Sequence, residues 1–272
     1  MYQTYYGLNE KPFSIQPDPD FLFFGRRHSM AFAMLEYGIA NHAGFSVISG
    51  DIGCGKTTLI RHLLNNIEEN INVGIVYNTQ QDIDDLLEWV LMSFGQPYDG
   101  MSKIAMYDHF QQFLIANYAD GKRVVLIIDE AQNLNPKALE SIRMLSNINA
   151  DKDQLIQIIL VGQPQLRDLL RLPELHQFSQ RVAVDFFIPP LETFEVEAYI
   201  THRLMVAGRT EPLFTHSACE KIAEASGGVP RRINILADTA LVYGFAANCS
   251  EISLSILEEV LRDKAEYGML SY

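Results

Sequence analysis

Cysteine, long apolar runs and positive charge are all scarce in this chain. Three cysteines among 272 residues, Cys54, Cys219 and Cys249, are widely spaced and odd in number. They form neither a disulfide framework nor a zinc-like cluster, and a reducing compartment suits them best. No stretch reaches about 18 apolar residues, and no basic segment followed by an apolar run opens the chain. Membrane spanning and secretion are therefore not expected, and the expected location is the cytoplasm. Lys and Arg number 21 against 34 Asp and Glu, a net charge of −13. That balance makes nucleic acid an unfavoured partner and disfavours non-specific binding to anionic membrane, although a local basic patch remains compatible with it. Internal repeats and low-complexity segments are also lacking.

What is present can close a core: 48% of residues are apolar and only 20% charged, which argues against disorder. The first 25 residues are too aromatic for a solvated linker, with Tyr2, Tyr5, Tyr6, Phe13, Phe21, Phe23 and Phe24. Pro12, Pro17 and Pro19 argue against a helix there. This reads as an arm (1–25) packed on the core. A helix is expected over 29–41, ending at Gly44. Strands and helices then alternate: strands at 45–49, 72–77, 123–128, 155–161 and 182–188, helices at 56–66, 82–94, 107–118 and 135–147. The strand segments are continuous apolar runs, the mark of parallel strands covered on both faces. After Pro189-Pro190 everything reads helical, at 192–207, 217–225, 230–246 and 253–264. The domain reading is thus an α/β unit at 26–190 followed by a helical domain at 191–272.

The strongest local signal is Gly50-Asp51-Ile52-Gly53-Cys54-Gly55-Lys56-Thr57, which matches GxxxxGK[ST] between an expected strand and an expected helix. Glycines permit a tight nest of backbone N–H groups around a β-phosphate. Lys56 can reach the β- and γ-phosphates, and the Thr57 hydroxyl can ligate Mg²⁺. Thr58 either helps at the helix start or is structural, and Cys54 sits within the loop. A second piece ends the apolar run Val124–Ile128 in Asp129-Glu130. There Asp129 can hold Mg²⁺ through water and Glu130 can orient and polarise the attacking water, a pair that favours an ATPase over a small-molecule kinase. Capping of a following helix is the plain alternative.

Other candidates are weaker. Gln132 can touch the γ-phosphate or relay nucleotide state, with a structural role the alternative. Gln163 follows the next apolar strand and can sense the γ-phosphate, or else cap its own helix. Arg181, just before the fifth strand, is a candidate arginine finger or a surface ion pair, with Arg171 as a rival. In Gly227-Gly228-Val229-Pro230-Arg231-Arg232, Arg231 is preferred over Arg232 for reaching the nucleotide, because it lies in the first turn of its helix.

Together these pieces resemble an AAA+ ATPase, and specifically the family of general-secretion-pathway assembly ATPases, which includes pilus-biogenesis and exosortase-associated relatives. The resemblance runs through MYQTYYGLNEKPFSIQPDPDFLF, His28, GFSVISGDIGCGKTTL, LIIDEAQNL, LESIRMLSN, QIILVGQPQL, QRV, AYITHRLMVAG and GGVPRRIN. It implies a P-loop α/β fold with a five-stranded parallel sheet of order 5-1-4-3-2 and a C-terminal helical lid. It implies ATP/ADP and Mg²⁺ as ligands, with Lys56 and Thr57 on the phosphates and metal, Asp129 on the metal and Glu130 as catalytic acid–base group. Gln163 corresponds to the polar sensor, Arg181 to the trans-acting arginine and Arg231 to the lid arginine. Pro12, Phe13 and the 24–28 stretch correspond to the adenine pocket. It further implies a homo-oligomer when activated and a secretion or pilus assembly protein of the inner membrane as partner. Some secretion relatives carry a membrane-spanning segment and a peptidoglycan-binding domain after the ATPase; these are not expected in this sequence. A DNA-associated regulator resembling transposition ATPases and a nucleotide-gated adaptor with little turnover are the alternatives.

Overall fold

The computed structural model describes residues 2–77, 86–150 and 153–267. Contacts divide the chain into two compact units that do not follow chain order. One comprises Met1–Ser29, Ile52–His62 and Pro189–Tyr272, the other Met30–Asp51 and Leu63–Ile188.

The second unit is built on a sheet. Its strands are β1 (Phe45–Gly50), β2 (Ile71–Val76), β3 (Arg123–Ile128), β6 (Ile156–Gly162) and β7 (Val182–Ile188), with a small antiparallel hairpin β4 (Asn149–Ala150) and β5 (Asp153–Gln154) beside them. The order β2-β3-β6-β1-β7 is parallel throughout. Counting only these five strands, it is the expected 5-1-4-3-2. The interior strands β1 and β6 are buried at every position, so no polar alternation is visible in them. The edge strand β7 alternates instead, and its register with β1 slips between Phe45 and Ser46. Helices α4 (Leu86–Ser93), α5 (Lys103–Ala119) and α6 (Pro136–Leu145) cover the sheet with Val90, Leu91, Phe110, Leu114, Leu139 and Ile142.

Local chemistry sets the helix ends. Ser102 caps α5 by accepting from the Ala105 N–H, so α5 begins earlier than the expected residue 107. Asn135 does the same for α6, with Pro136 in its first turn. The expected acidic first turn at 82–85 lies outside the described residues. The helix that Gln163 precedes, α7 (Pro164–Leu170), had no expected bounds, and α8 (His176–Ser179) and the hairpin were not expected from the sequence.

The first unit is helical. Its long members are α9 (Thr193–Val206), α10 (His216–Ser226), α11 (Pro230–Ala246) and α12 (Leu254–Tyr267). Gly227 ends α10 in the left-handed conformation and Pro230 opens α11. The arm supplies Tyr2, Tyr6, Leu8, Phe13 and Phe21 to the same apolar core as Val196, Ile200, Ile222, Ile233 and Leu241. The expectation of no helix in the arm is corrected at its start: α1 spans Tyr2–Tyr6. Proline bars the helix only where it stands, and the first proline comes six residues later. Buried Arg203 holds the rest of the arm. Its guanidinium donates to the Pro12 carbonyl, to the Ser14 carbonyl at 3.4 Å and to the Tyr199 hydroxyl at 3.1 Å, and lies over the Phe21 ring. Asn234 donates to the same Ser14 carbonyl at 3.0 Å. Helix α2 (Arg26–Ala40) follows the arm, starting three residues before the expected position.

Candidate active site

The glycine-rich loop leaves β1 at Gly50 and delivers Lys56 to the first position of α3 (Lys56–Asn65). Gly53 has φ +84, a conformation that L side chains avoid, and a Cβ there would come within 2.6 Å of the Arg231 Cβ. Two constraints therefore demand glycine at one position. The close approach is anchored by the Arg231 N–H, which donates to the Gly53 carbonyl at 3.2 Å. Arg232, by contrast, donates its N–H to Val229 at 2.9 Å. The structure thus places Arg231 rather than Arg232 against the loop.

His28 supports the next residue. It is 3% exposed, and its Nε2 lies 2.8 Å from the Cys54 carbonyl. A carbonyl only accepts, so Nε2 carries the proton. Burial holds the imidazole pKa below its usual value, against a smaller opposing pull from that hydrogen bond, and the ring is neutral. Cys54 itself is fully buried and Lys56 nearly so, while Asp51 and Ile52 are exposed and Thr57 and Thr58 half-buried.

Because the sheet is parallel, the ends of β1, β3 and β6 share one edge. Gly50, the pair Asp129-Glu130 and Gln163 all lie along it. Asp129 is buried; its N–H donates to the Val76 carbonyl at 2.9 Å, and its Oδ1 accepts from the Glu130 N–H at 2.9 Å. Glu130 has φ +54, an uncommon conformation for a residue with a side chain and one that recurs at functional sites. Its Oε2 accepts from the Gln132 side-chain amide and from Gln163 Nε2 at 3.2 Å. Gln163 precedes α7 without capping it, so its side chain serves Glu130 and not its own helix.

The remaining candidates are dispersed. Arg181 donates to Ser146 Oγ at 3.1 Å and to the Asn147 side-chain carbonyl, neutral partners rather than the surface ion pair considered above. Arg171 pairs loosely with Asp168 at 3.6 Å, both well exposed. In the arm, Pro12 is buried and Phe13 packs edge-on against Phe214 at 2% exposure. Phe24 is more open and meets His62 edge-on. The support from His28 to Cys54 and the contact between Gly53 and Arg231 had no signal in the sequence, because each joins segments far apart in the chain. Among the described residues no group of three or more His, Cys, Asp or Glu side chains could cage a metal, and no helix is long and apolar enough to cross a membrane.

Comparison with known proteins agrees with this fold. A family model described as an AAA domain matches residues 39–170. General secretion pathway protein A of Aeromonas hydrophila is 40% identical over 253 residues, which is 93% of this chain and 46% of that protein. The chain therefore spans less than half the length of that relative. Among solved structures, the ORC2 protein of Aeropyrum pernix in its ADPNP–ADP complexes superposes with TM-score 0.68 at 17% identity, over 97% of this chain and 75% of that one. Cdc6p of Pyrobaculum aerophilum gives 0.67 at 16%, over 90% and 70%. RuvB of Thermotoga maritima gives 0.53 at 17%, over 88% and 69%. At such identities these three share the fold. With its phosphate loop, its sheet order and its homology to the Aeromonas protein, the chain belongs to the AAA+ ATPase family.

Proposed function

We propose that the protein hydrolyses ATP with Mg²⁺ and couples the cycle to assembly or operation of a bacterial secretion or pilus system. The observation that carries the hydrolytic part is the shared sheet edge, where the strand that feeds the phosphate loop and the strand that ends in Asp129-Glu130 terminate side by side with Gln163. The link to secretion rests on the Aeromonas relative.

In this reading the backbone N–H groups from Gly50 to Lys56, with Asp51, Ile52, Gly53, Cys54 and Gly55 between, surround the phosphates. Thr58 supports the start of α3. Lys56 neutralises charge on the β- and γ-phosphates. Mg²⁺ usually takes one or two protein oxygens together with phosphate oxygens and water. The hydroxyl of Thr57 and the carboxylate of Asp129 suit it, and the ion would neutralise charge between the β- and γ-phosphates. Glu130 accepts a proton from the water whose oxygen attacks the γ-phosphorus as the bond to the ADP oxygen breaks. Gln163 donates to a γ-phosphate oxygen. Arg231 reads the nucleotide from the first turn of α11, and Arg181 completes the site of a neighbouring copy in an activated homo-oligomer. Pro12 and Phe13 hold the base side from within the arm. The functional division is an arm at 1–25, a nucleotide-binding domain at 26–190 and a helical lid at 191–272. The partner is a secretion or pilus assembly protein of the inner membrane, approached from the cytoplasm. Nucleic acid is not the partner, given the charge of −13.

The test is phosphate release from Mg·ATP by the purified chain, compared with Glu130→Gln. The variant is expected to keep ATP affinity and lose turnover by roughly 10²–10⁴-fold. Equal turnover by the two proteins rejects the reading.

A further inference from the structure

Glu130 is not held by its own helix or strand. It sits alone in the left-handed region between β3 and a short 3-10 turn, Ala131–Asn133. A carboxylate on such a backbone has side-chain freedom to lose. Two amides help restrain it by donating to one oxygen, Oε2: Gln132 Nε2 and Gln163 Nε2. The two are not equivalent. Gln132 is anchored at its other end, where its Oε1 accepts the backbone N–H of Gln163 at 2.9 Å. That anchor belongs to the main chain at the end of β6 and does not depend on where the Gln163 side chain points. The backbone has made room for it as well. A Cβ on Gly162 would stand 2.8 Å from Gln132 Oε1 and 2.9 Å from Leu166.

We infer that Gln132 is a positioning residue that clamps the Glu130 carboxylate to the end of β6, while Gln163 is its exchangeable partner. This rests on the reading of Glu130 as the base. When the amide of Gln163 turns to a γ-phosphate oxygen, Glu130 loses one donor. Gln132, still fixed by the Gln163 N–H, keeps Oε2 in place, so the carboxylate faces the attacking water in one orientation. The pair therefore divides two tasks: Gln163 registers the phosphate, and Gln132 preserves the geometry of the base while it does so. Geometry of this kind acts on the chemical step and not on ground-state binding.

The experiment measures steady-state ATPase and equilibrium ATP binding for the wild-type chain, Glu130→Gln, Gln132→Ala and Gln132→Glu, with melting temperature recorded for each. Gln132→Ala is expected to lower kcat about tenfold or more with KM and ATP affinity within about threefold. Wild-type kcat in Gln132→Ala, alongside an inactive Glu130→Gln, overturns the clamp and leaves the base assignment standing. An active Glu130→Gln overturns the base assignment itself. Gln132→Glu supplies a readout that a merely structural role does not move. It keeps an acceptor for the Gln163 N–H but replaces the donor to Glu130 with a second carboxylate. At neutral pH the two repel. As pH falls, the new side chain gains a proton and becomes a donor again. The ratio of Gln132→Glu to wild-type kcat is expected to rise several-fold between about pH 8 and pH 5.5. Parallel pH profiles for the two proteins overturn the inference.

Discussion

The sheet unit and the helical unit are closed by different parts of the chain. In the sheet unit one unbroken stretch, Leu63–Ile188, supplies four of the five strands, and only β1 comes from before it. The helical unit draws on both ends of the sequence: the Tyr2 hydroxyl bonds Asp238, the Tyr6 hydroxyl donates to the Cys249 carbonyl at 3.1 Å, and Arg209 donates to the Tyr6 carbonyl at 2.6 Å. The carboxylates of Asp129 and Glu130 thus stand on a scaffold closed by backbone pairing. The phosphate loop beyond Asp51 leans on residues recruited from far away, His28 and Arg231. Variants in the first should separate chemistry from stability, and variants in the second should mix the two.

The largest expected effect breaks the comparison at its centre. Lys56→Ala removes the charge beside the phosphates, and both ATP binding and turnover are expected to fall below detection, read by calorimetry and phosphate release. Tight Mg·ATP binding by that variant removes Lys56 from its role. Next comes the arm. Phe13→Ala empties a core position that is 2% exposed and is expected to cost about 3–5 kcal/mol. Arg203→Ala orphans the Pro12 carbonyl, at about 1–3 kcal/mol, while the Ser14 carbonyl keeps its bond from Asn234. Denaturation should show both losses, and ATP affinity should weaken with them. An unchanged melt with unchanged affinity would detach the arm from the nucleotide.

A smaller effect concerns assembly. Arg181→Ala is expected to reduce turnover much more than affinity, since a guanidinium stabilises charge that develops on the transferred phosphoryl group. Mixing it with Glu130→Gln should restore part of the activity, because one mixed interface pairs an intact Glu130 with an intact neighbouring Arg181. No recovery in demonstrated mixed oligomers places Arg181 within its own subunit, where it already bonds Ser146 and Asn147. The smallest effect is one of pH. His28 is held neutral by burial, so its contribution to stability is complete above its ordinary value near 6.5. That contribution is lost as pH falls below this value, where the unfolded chain takes up a proton that the fold resists. Stability curves of wild type and His28→Gln should converge on acidification through that window, and parallel curves would deny His28 the effect.

Much of this was legible in the residues because it depends on neighbours in sequence. The run of Val124 to Ile128 announced a buried strand, the motif from Gly50 to Thr57 announced a tight turn between a strand and a helix, and Asp129 and Glu130 fell at the end of β3 as expected. Boundaries slipped where a cap decided them, as at Ser102. The bounds of helix α7 were not legible because Pro164-Gln165 and the charged residues around Arg167 gave too short a periodic signal. The amide clamp on Glu130 was invisible for another reason. Gln132 and Gln163 are 31 residues apart, and only the adjacency of β3 and β6 brings them together.

The bonds from Tyr2 to Asp238 and from Tyr6 to Cys249 also bear on how the molecule is made. During synthesis the arm emerges before its partners, which follow some 236 to 243 residues later. At roughly 5–20 residues per second the aromatic side chains of the arm wait on the order of ten seconds or more for the helices that bury them. The sheet can pair during that interval, but the phosphate loop lacks Arg231 until α11 has left the ribosome. A nascent chain of this protein therefore lacks the backbone bond that holds Gly53 until α11 has been made. A chain cut before α11 would leave the aromatic side chains of the arm without Asp238 and Cys249, and the loop without Arg231, at the same time.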